Sequence, residues 1–200
     1  SYIRNYEIKA LQSQINPHFL YNTLDTIVWM AEFGDSEKVI AVTKSLADFF
    51  RISLSNGNEL ITIEDELDHV KSYLFIQKQR YEEKLSYKVV LEAEVGQLKI
   101  PKIILQPLVE NALYHGIREC DHNGLITVLV KVDGENIHMI IEDNGVGFDK
   151  KRVSKKTKLG GVGIENVNQR IKLYYGENYG IEIESEIDQG TAARIIIPRG

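Results

Sequence analysis

The sequence predicts an α+β protein, with a helical region over residues 1–83 and an α/β sandwich containing a mixed sheet over residues 84–200. The first observation behind this prediction is that apolar residues of the first region recur at three- and four-residue spacings, as in amphipathic helices. The second is that the pattern changes after Leu85 to alternating and short apolar runs, which are typical of strands, interspersed with helical segments.

The first region contains three predicted helices. Gly34 ends the first of them, and Asp35 or Ser36 can cap the second. The second helix continues until residues 55–58, where the sequence Ser-Asn-Gly-Asn predicts a break. Thr62 then has the position of an N-cap, because three acidic residues follow it in the first turn of the third helix.

Pro17 lies inside the first predicted helix and allows two interpretations. In the first, one helix runs through Pro17 and is kinked beside His18, because proline removes a backbone hydrogen bond. In the second, Asn16 is the N-cap and Pro17 is the first helical residue. The apolar stripe on both sides of the proline favours the kinked helix, and His18 and Asn22 share that stripe.

The second region begins with a predicted strand around residue 87, where apolar and polar residues alternate. Pro101 is predicted to start a helix that carries Ile104, Leu108, Asn111 and His115 on one face and ends at Gly116. The remaining predicted elements are strands at 125–132 and 137–141, a helix from about 164 to 175, and strands at 181–185 and 193–197.

Composition excludes several classes of protein. The net charge of −5 argues against a nucleic-acid-binding protein, because such proteins need a basic surface. The single cysteine, Cys120, excludes an internal disulfide and fits a reducing compartment. The sequence shows no apolar run that is long enough to span a bilayer and no signal peptide.

Three segments have the residue types of a nucleotide site. Residues 143–148, Asp-Asn-Gly-Val-Gly-Phe, follow a predicted buried strand, so that the Asp143 carboxylate can accept a hydrogen bond from the exocyclic amine of a purine. Gly145 and Gly147 would let the backbone approach a flat ring closely. Residues 160–166, Gly-Gly-Val-Gly-Ile-Glu-Asn, precede a helix, and the backbone N–H groups there, including those of Gly161 and Gly163, can hold phosphate oxygens.

The third segment is Glu-Asn-Ala-Leu-Tyr-His-Gly at residues 110–116, and together the three resemble the N, G1 and G2 boxes of the GHKL ATP-binding fold of gyrase, Hsp90, MutL and histidine kinases. The resemblance implies ATP and Mg²⁺ as cofactors, with Asn111 at the Mg²⁺ and Asp143 at the adenine amine. Amide oxygen is a suitable ligand for Mg²⁺. His115 would either touch phosphate or only pack near Gly116.

The resemblance also makes residues 149–159 a lid over ATP. Six basic residues cluster in that segment and could screen the triphosphate charge, although most of them are better explained as a solvated loop: Lys150, Lys151, Arg152, Lys155, Lys156 and Lys158. Gly190-Thr191 resembles the final glycine-threonine turn of the fold. Asn111 and Asp143 also have purely structural interpretations, as a backbone cap and as the end of a strand.

Residues 17–22, Pro-His-Phe-Leu-Tyr-Asn, together with Gln-Pro-Leu-Val-Glu-Asn at 106–111, extend the resemblance to LytS/YesM-type sensor histidine kinases over nearly the whole chain. Taken alone, His18 reads as a polar residue on a helix surface. The family implies that it accepts the γ-phosphoryl group of ATP and passes it to an aspartate of a response regulator. Imidazole suits this role because one ring nitrogen is nucleophilic near neutral pH.

One departure concerns the proton acceptor, because commoner histidine kinases carry an acid immediately after the phosphorylated histidine and this chain has Phe19 there. Asn22, one turn further, can orient a nucleophile but is a poor base. Asp25 is two turns away. The general base is therefore not identified from the sequence.

The family resemblance further implies partners and a location. Residues 1–83 would be a dimerisation and histidine phosphotransfer region, in which the first two helices form a hairpin that pairs with a second chain as a four-helix bundle. Residues 84–200 would be the ATP-binding catalytic domain. The partners would be a second copy of the chain and a response-regulator receiver domain, without nucleic acid. Membrane spans would lie upstream, so that these residues form the cytoplasmic portion of a bacterial membrane sensor.

Two other functions compete with a kinase. An ATPase switch of the gyrase or Hsp90 kind places a water-activating Glu four residues before the Asn, and Pro107 occupies that position here. A catalytically silent dimeric scaffold is supported only by Phe19 and by Tyr114, which stands where a Lys is frequent. The sensed signal, the identity of the regulator, phosphatase activity and transfer within or between chains are not readable from the sequence.

Overall fold

The computed structural model describes residues 16–92, 94–151 and 161–200. The helices are α1 (Pro17–Glu32), α2 (Ser36–Leu54), α3 (Ile63–Tyr81), α4 (Gln106–Asn111, continued by a π-helical turn over Ala112–Ile117) and α5 (Val162–Tyr175). The strands are β1 (Leu60–Thr62), β2 (Leu85–Leu91), β3 (Lys99–Pro101), β4 (Gly124–Asp133), β5 (Asn136–Asp143), β6 (Gly180–Glu186) and β7 (Gly190–Pro198).

The predicted ends of the first helices are confirmed. Gly34 follows α1 with φ +73°, a conformation that glycine adopts at little cost. The Asp35 carboxylate accepts a hydrogen bond from the Lys38 N–H at 3.1 Å and caps α2. Thr62 Oγ1 accepts one from the Asp65 N–H, also at 3.1 Å, and caps α3.

The predicted kink at Pro17 is wrong, and the alternative interpretation is right. Asn16 has an extended conformation with ψ 113°, and its side chain accepts a hydrogen bond from the His18 N–H at 3.0 Å. Pro17 is therefore in the first turn of α1, where its missing N–H would have no intrahelical partner anyway. Leu11 and Ile15, which extended the apolar stripe before the proline, lie outside the described residues.

Five strands form one mixed sheet in the order β2-β4-β5-β7-β6. The pair β2–β4 is parallel, and the other pairs are antiparallel. The α+β class with a mixed sheet is thus confirmed. None of the helices within the described ranges combines the length and the hydropathy that crossing a bilayer requires.

The helix predicted from Pro101 begins later than expected. Pro101 ends β3 and pairs with Leu60 of β1 in a separate two-stranded antiparallel sheet, and α4 begins at Gln106. The residues between them, Lys102–Leu105, form what we call the junction loop. The prediction failed because the pairing partner of β3 is distant in the sequence. Since β1 lies in the helical region and β3 in the second, the boundary near residue 83 stays a prediction.

Three aromatic rings hold α1 on the other helices. The Phe19 ring, 1% exposed, lies 5.0 Å from that of Phe49 in α2 and 4.9 Å from that of Tyr73 in α3, measured between centroids. Phe19 therefore anchors the first turn of α1 in the core, while the preceding residue, His18, is exposed. The residue in the place of the usual acid thus has a packing role.

Candidate functional site

The end of β5 and the π-helical turn meet at the first glycine-rich segment. Asp143 ends β5, and its Oδ1 accepts a hydrogen bond from the Gly145 N–H at 2.9 Å. The Val146 N–H donates to the Gly116 carbonyl at 3.3 Å. The fold therefore brings residues 110–116 and 143–148 together, as the motifs predict.

Two of the predicted site glycines are required by close contacts within the protein. A Cβ on Gly145 would lie 2.3 Å from the Gly116 carbonyl carbon, and a Cβ on Gly116 would lie 2.5 Å from Asp143 Oδ1. Gly147 has φ +59°, and a Cβ there would lie 2.0 Å from the Glu186 carbonyl oxygen. Backbone packing, which local sequence does not reveal, thus explains these glycines. Their contact with a purine base stays a prediction.

Asp143 is buried, with only 9% of its surface exposed. Burial raises the pKa of its carboxyl to about 6, although backbone N–H groups of Gly145 and Thr191 lower it. A buried carboxylate with an elevated pKa at the end of a strand can accept a hydrogen bond from an amine of a bound molecule. Gly190, which neighbours Thr191, has φ +112° and lies against the Asp143 carbonyl, which gives the glycine-threonine turn a structural role.

Asn111 and His115 do not share one α-helical face. Asn111 is the last residue of α4, is half-buried, and its side chain makes no hydrogen bond to another described residue. His115 is exposed in the π-helical turn, where the Arg118 N–H donates to the Leu113 carbonyl, five residues back. The predicted stripe from Ile104 to His115 is therefore wrong, because the wider turn changes the angular spacing.

The second glycine-rich segment lies beside the start of α4. Gly161 has φ +118° and precedes α5, whose first N–H groups lack intrahelical partners. Within 4 Å, and among the residues that the structure describes, a Cβ on Gly163 would meet only the Pro107 Cβ, at 3.7 Å. The three motifs thus meet at the segment formed by α4 and its π-helical turn. Gly163 lies at the beginning of that segment, Asn111 in its middle and Asp143 near its end.

Only the beginning of the predicted lid is described. Lys150 Nζ donates to the Ile183 carbonyl at 2.7 Å, so that this cation is attached to β6. The Lys151 N–H donates to Asp149 Oδ1 at 2.9 Å. The remaining basic residues of the segment and the glycine that follows it lie outside the described residues: Arg152, Lys155, Lys156, Lys158 and Gly160.

The junction loop positions the beginning of α4. Glu66 of α3 is fully buried, and its carboxylate accepts hydrogen bonds from the N–H groups of Ile103, Ile104 and Leu105 at 2.7, 3.0 and 3.4 Å. Ile103 has φ +57°, which is strained for a β-branched residue and therefore needs such restraint. Burial raises the pKa of Glu66 to about 7 against the opposing effect of the three N–H groups and Arg170.

Two further side chains attach the junction loop to other helices. Lys102 Nζ donates to the carbonyls of Ser53 and Leu54 at the end of α2, at 3.0 and 3.3 Å. Arg170 of α5 donates to the carbonyls of Lys102 and Ile103 at 2.8 and 3.4 Å. The loop that leads into the Asn111 helix is thus connected to α2, α3 and α5.

A cleft of about 650 Å³ opens at the N-terminal end of α1. It brings His18, the predicted phosphoacceptor, together with the amide of Asn22 and with the π-helical turn that follows Asn111. The cleft is lined by Asn16, His18, Asn22, Arg80, Tyr81, Tyr114 and Arg118. Tyr114 lies three residues after Asn111 in the same helical segment. His18 therefore faces a space that borders the Asn111 helix of its own chain.

Several residues at these sites were not identified from the sequence. The sequence predicts Glu66 only as an acid in the first turn of α3. It is, however, three residues after Ile63 and four before Val70, both fully buried, and so lies on the apolar face of α3. Arg80 and Arg118 had no local pattern that could reveal them. Glu110, by contrast, belongs to the recognised segment at 110–116, and as a neighbour of Asn111 it is predicted either to support the site or to form a salt bridge. It accepts a hydrogen bond from Gln106 at 3.1 Å, and burial raises the pKa of its carboxyl.

The residues present fit a purine nucleotide. The close packing of Gly116 and Gly145 leaves the Asp143 carboxylate at a tight backbone turn, and Asn111 offers an amide without a partner among the described residues. Within the described part of the chain, no group of three or more His, Cys, Asp or Glu side chains could hold a metal by itself. Mg²⁺ would therefore need phosphate oxygens and water besides Asn111.

Comparison with known proteins identifies the families that this chain resembles. Residues 6–85 match the family model described as histidine kinase, and residues 99–200 match that of the histidine kinase-, DNA gyrase B-, and HSP90-like ATPases. The chain is 39% identical over 196 residues to sensor histidine kinase YesM of Bacillus subtilis, with 98% of the chain and 34% of that protein covered. It is 34% identical over 192 residues to sensor histidine kinase BtsS of Escherichia coli, covering 96% of the chain and 33% of that protein. The chain thus spans about a third of the length of these relatives.

Solved structures show the same fold at low sequence identity. The histidine kinase domain of the blue-light activated kinase EL346 from Erythrobacter litoralis has a TM-score of 0.57 and 14% identity, over 99% of this chain and 96% of that one. Histidine kinase ThkA in complex with the response regulator protein TrrA has a TM-score of 0.51 and 14% identity, over 99% of this chain and 57% of that one. With the two matched family models covering both regions, this chain belongs to the histidine kinases, and its C-terminal half is a member of the histidine kinase-, DNA gyrase B-, and HSP90-like ATPase family.

Proposed function

We propose that this chain is the kinase core of a two-component sensor, which phosphorylates His18 with ATP and passes the phosphoryl group to an aspartate of a response regulator. The observation that carries this proposal is the shared cleft, in which His18 and Asn22 lie with Tyr114, just beyond Asn111 in the same helical segment. The family relationship supports the same chemistry.

The chain's own residues would position the reactants. Asp143 would accept a hydrogen bond from the adenine amine, and the N–H groups near Gly161 and Gly163 would bind phosphate oxygens. Mg²⁺, held by Asn111 and the phosphates, would neutralise charge that develops during transfer. A ring nitrogen of His18 then attacks the γ-phosphorus, the bond to the bridging oxygen breaks, and ADP leaves with the electron pair.

Loss of a proton from the imidazole completes the transfer. Phe19 is buried among aromatic rings and has no basic group, and Asn22 can orient but cannot accept a proton. The exposed position of His18 gives solvent direct access to the ring, so water can accept the proton. On transfer to a carboxylate of the receiver domain, the phosphorus–nitrogen bond would break and the ring would take up a proton from solvent, which returns it to its neutral form.

The test is incubation with γ-labelled ATP, followed by treatment of the labelled protein with acid or base. We expect label that survives base but not acid, because the phosphorus–nitrogen bond is acid-labile. His18→Gln should abolish this label. His122→Gln, which changes an exposed histidine in the loop before β4, should leave the label unchanged. Asn111→Ala and removal of Mg²⁺ by a chelator should also abolish labelling. Label persisting on the His18→Gln protein would reject His18 as the acceptor.

The exposed apolar residues of α1 support assembly as a homodimer. Tyr21, Leu24 and Val28 lie at helical spacing on one stripe and are 67%, 45% and 56% exposed. A second copy that covers this stripe would bury it in a helix bundle. Sedimentation of the wild type and of Leu24→Glu tests this, and a monomeric wild type at micromolar concentration would contradict it.

The ATPase alternative has less support in the structure. Pro107, at the position of the water-activating Glu, lies in the first turn of α4, and its side chain has no carboxylate to activate water. Steady release of phosphate without phosphoprotein would nevertheless favour it over the kinase.

A further inference from the structure

The cleft that contains His18 has an uneven distribution of charge. Among the described residues, its lining includes two guanidinium groups, Arg80 at the end of α3 and Arg118 after the π-helical turn, and no Asp or Glu. This contrasts with the protein as a whole, whose net charge is −5. A concave surface with two cations and no carboxylate attracts an anion.

The two arginines have no anionic partner in the described part of the chain. Neither forms an ion pair with a described carboxylate, whereas Arg51 in α2 pairs with Asp48. Arg80 lies over the Tyr81 ring, 5.7 Å from its centroid. The aromatic face stabilises its charge, and its exposed N–H groups are available to a ligand.

Tyr81 lines the cleft together with both arginines. Burial and Tyr114 raise the pKa of the Tyr81 hydroxyl, whereas Arg80 and Arg118 both lower it. Both guanidinium groups therefore line one cleft beside the same tyrosine, although they come from elements that are far apart in the sequence. The cleft is consequently built from the ends of α1, α3 and the π-helical turn together.

The position of His18 in α1 adds to this preference. His18 is in the first turn of a helix of 16 residues, and no acidic residue occurs in that turn. The positive end of the helix dipole therefore reinforces the arginines. A phosphoryl group placed both at a helix N-terminus and opposite arginines gains charge-assisted hydrogen bonds.

We propose that the cleft is a phosphoryl-binding subsite, in which Arg80 and Arg118 hold the phosphoryl group that is attached to His18. This inference rests on the proposed phosphorylation of His18, and it assigns a positioning role to two residues from the same chain. Planar guanidinium groups match the oxygens of a phosphoryl group geometrically. Their charge would stabilise the phosphorylated ground state and retard loss of the group to water.

The decisive experiment measures oxyanion binding without any phosphorylation. Inorganic phosphate is added to the whole chain at constant pH and ionic strength, with chloride as the balancing anion, while the ring resonances of His18 are followed by NMR. We expect saturable shifts for the wild type and for the control variant Arg51→Gln, whose arginine lies outside the cleft. Phosphate should bind about three- to tenfold more weakly to Arg80→Gln and to Arg118→Gln, as expected for one lost charge-assisted hydrogen bond. All three substituted residues are exposed, so that folding should be retained.

A second arm shows whether the covalent phosphoryl group is the one that is held. Phosphoramidate transfers its phosphoryl group to histidine without ATP. In this reaction its phosphorus–nitrogen bond breaks, ammonia leaves, and a new bond forms between phosphorus and an imidazole nitrogen. After removal of the reagent, decay of the phosphate on His18 should be slow in the wild type and several-fold faster in both arginine variants. Decay at His122, measured in the same samples, should be unchanged and serves as an internal control.

The outcomes separate this inference from the proposed function. If His18 resonances do not respond to phosphate, or respond equally in the wild type and both arginine variants, the subsite does not exist. Equal decay at His18 in these proteins would likewise overturn the proposal. If γ-labelled ATP leaves no label on His18 while phosphate binding depends on Arg80 and Arg118, the proposed function fails and the anion subsite stands.

Discussion

Replacement of Glu66 by Gln should change how the free energy of unfolding depends on pH. The pKa of Glu66 is raised from 4.5 to about 7 in the folded protein. Between these values the folded state keeps a proton that the unfolded state has lost, so the contribution of Glu66 to stability falls as pH rises. This contribution is fully present below pH 4.5, the pKa of the unfolded state, and is lost as pH rises to about 7, the pKa of the folded state.

The magnitude follows from the size of the pKa change. Each pH unit between the two pKa values corresponds to about 1.4 kcal/mol. From pH 5 to pH 8, the free energy of unfolding of the wild type should therefore fall by about 2.5 kcal/mol relative to that of Glu66→Gln, because the Gln side chain does not titrate. Gln also replaces an acceptor oxygen by an NH₂ group next to the N–H groups of the junction loop, so the variant should be less stable at pH 5, by about 1–3 kcal/mol.

Urea unfolding followed by circular dichroism at pH 5 and pH 8 measures both quantities. His69 and Asp143 also have shifted pKa values, but they are present in both proteins and cancel in the difference. Glu37→Gln, which changes an exposed acid in the first turn of α2, should differ from the wild type by less than about 0.5 kcal/mol at both pH values. A wild-type-minus-variant difference that is the same at pH 5 and pH 8 would refute the claim that burial of Glu66 outweighs its three hydrogen bonds.

Three further predictions concern the nucleotide site and the junction loop. Gly145→Ala should lower the free energy of unfolding by more than about 2 kcal/mol and abolish calorimetric binding of an ATP analogue, because the added Cβ would overlap the Gly116 backbone. Gly163→Ala should change that free energy by at most about 1 kcal/mol, because no described atom outside α5 lies closer than 3.7 Å to its added Cβ. Asp143→Asn should weaken analogue binding at least about tenfold at pH 7.5. Wild-type affinity should also fall below about pH 6, where the Asp143 carboxyl becomes protonated, and a wild-type affinity unaffected by pH there would contradict the assigned role. Arg170→Met should lower the stability measured in urea by about 1–2 kcal/mol through loss of two hydrogen bonds to the junction loop, and unchanged stability would show that this attachment is weak.

Features that depend on neighbouring residues could be predicted from the sequence. The caps at Asp35 and Thr62 bond to N–H groups three residues away, and so a short sequence window contains both partners. The strands β4 and β5 and the helix α5 were equally accessible, because their apolar residues follow one period. The three motifs of the site were recognisable for the same reason.

Features that depend on distant partners were not predictable. Pro101 forms a strand because β1, about forty residues earlier, pairs with it, and the π-helical turn is packed against the Asp143 segment. The sequence around Pro17 allowed both a kink and a helix start, and only the extended backbone of Asn16 decides between them. The cleft around His18 combines residues from three elements, of which only α1 carried a recognisable motif.

The attachment of the junction loop has a consequence for protein engineering. Glu66 and Arg170 bind its main chain, so that none of the side chains at positions 103–105 takes part in these bonds. Those three positions can therefore be randomised among residues of similar size and hydrophobicity without cutting the link between helices. A designer who wishes to uncouple the helices would instead have to alter the binding side chains, or insert proline where an N–H is needed.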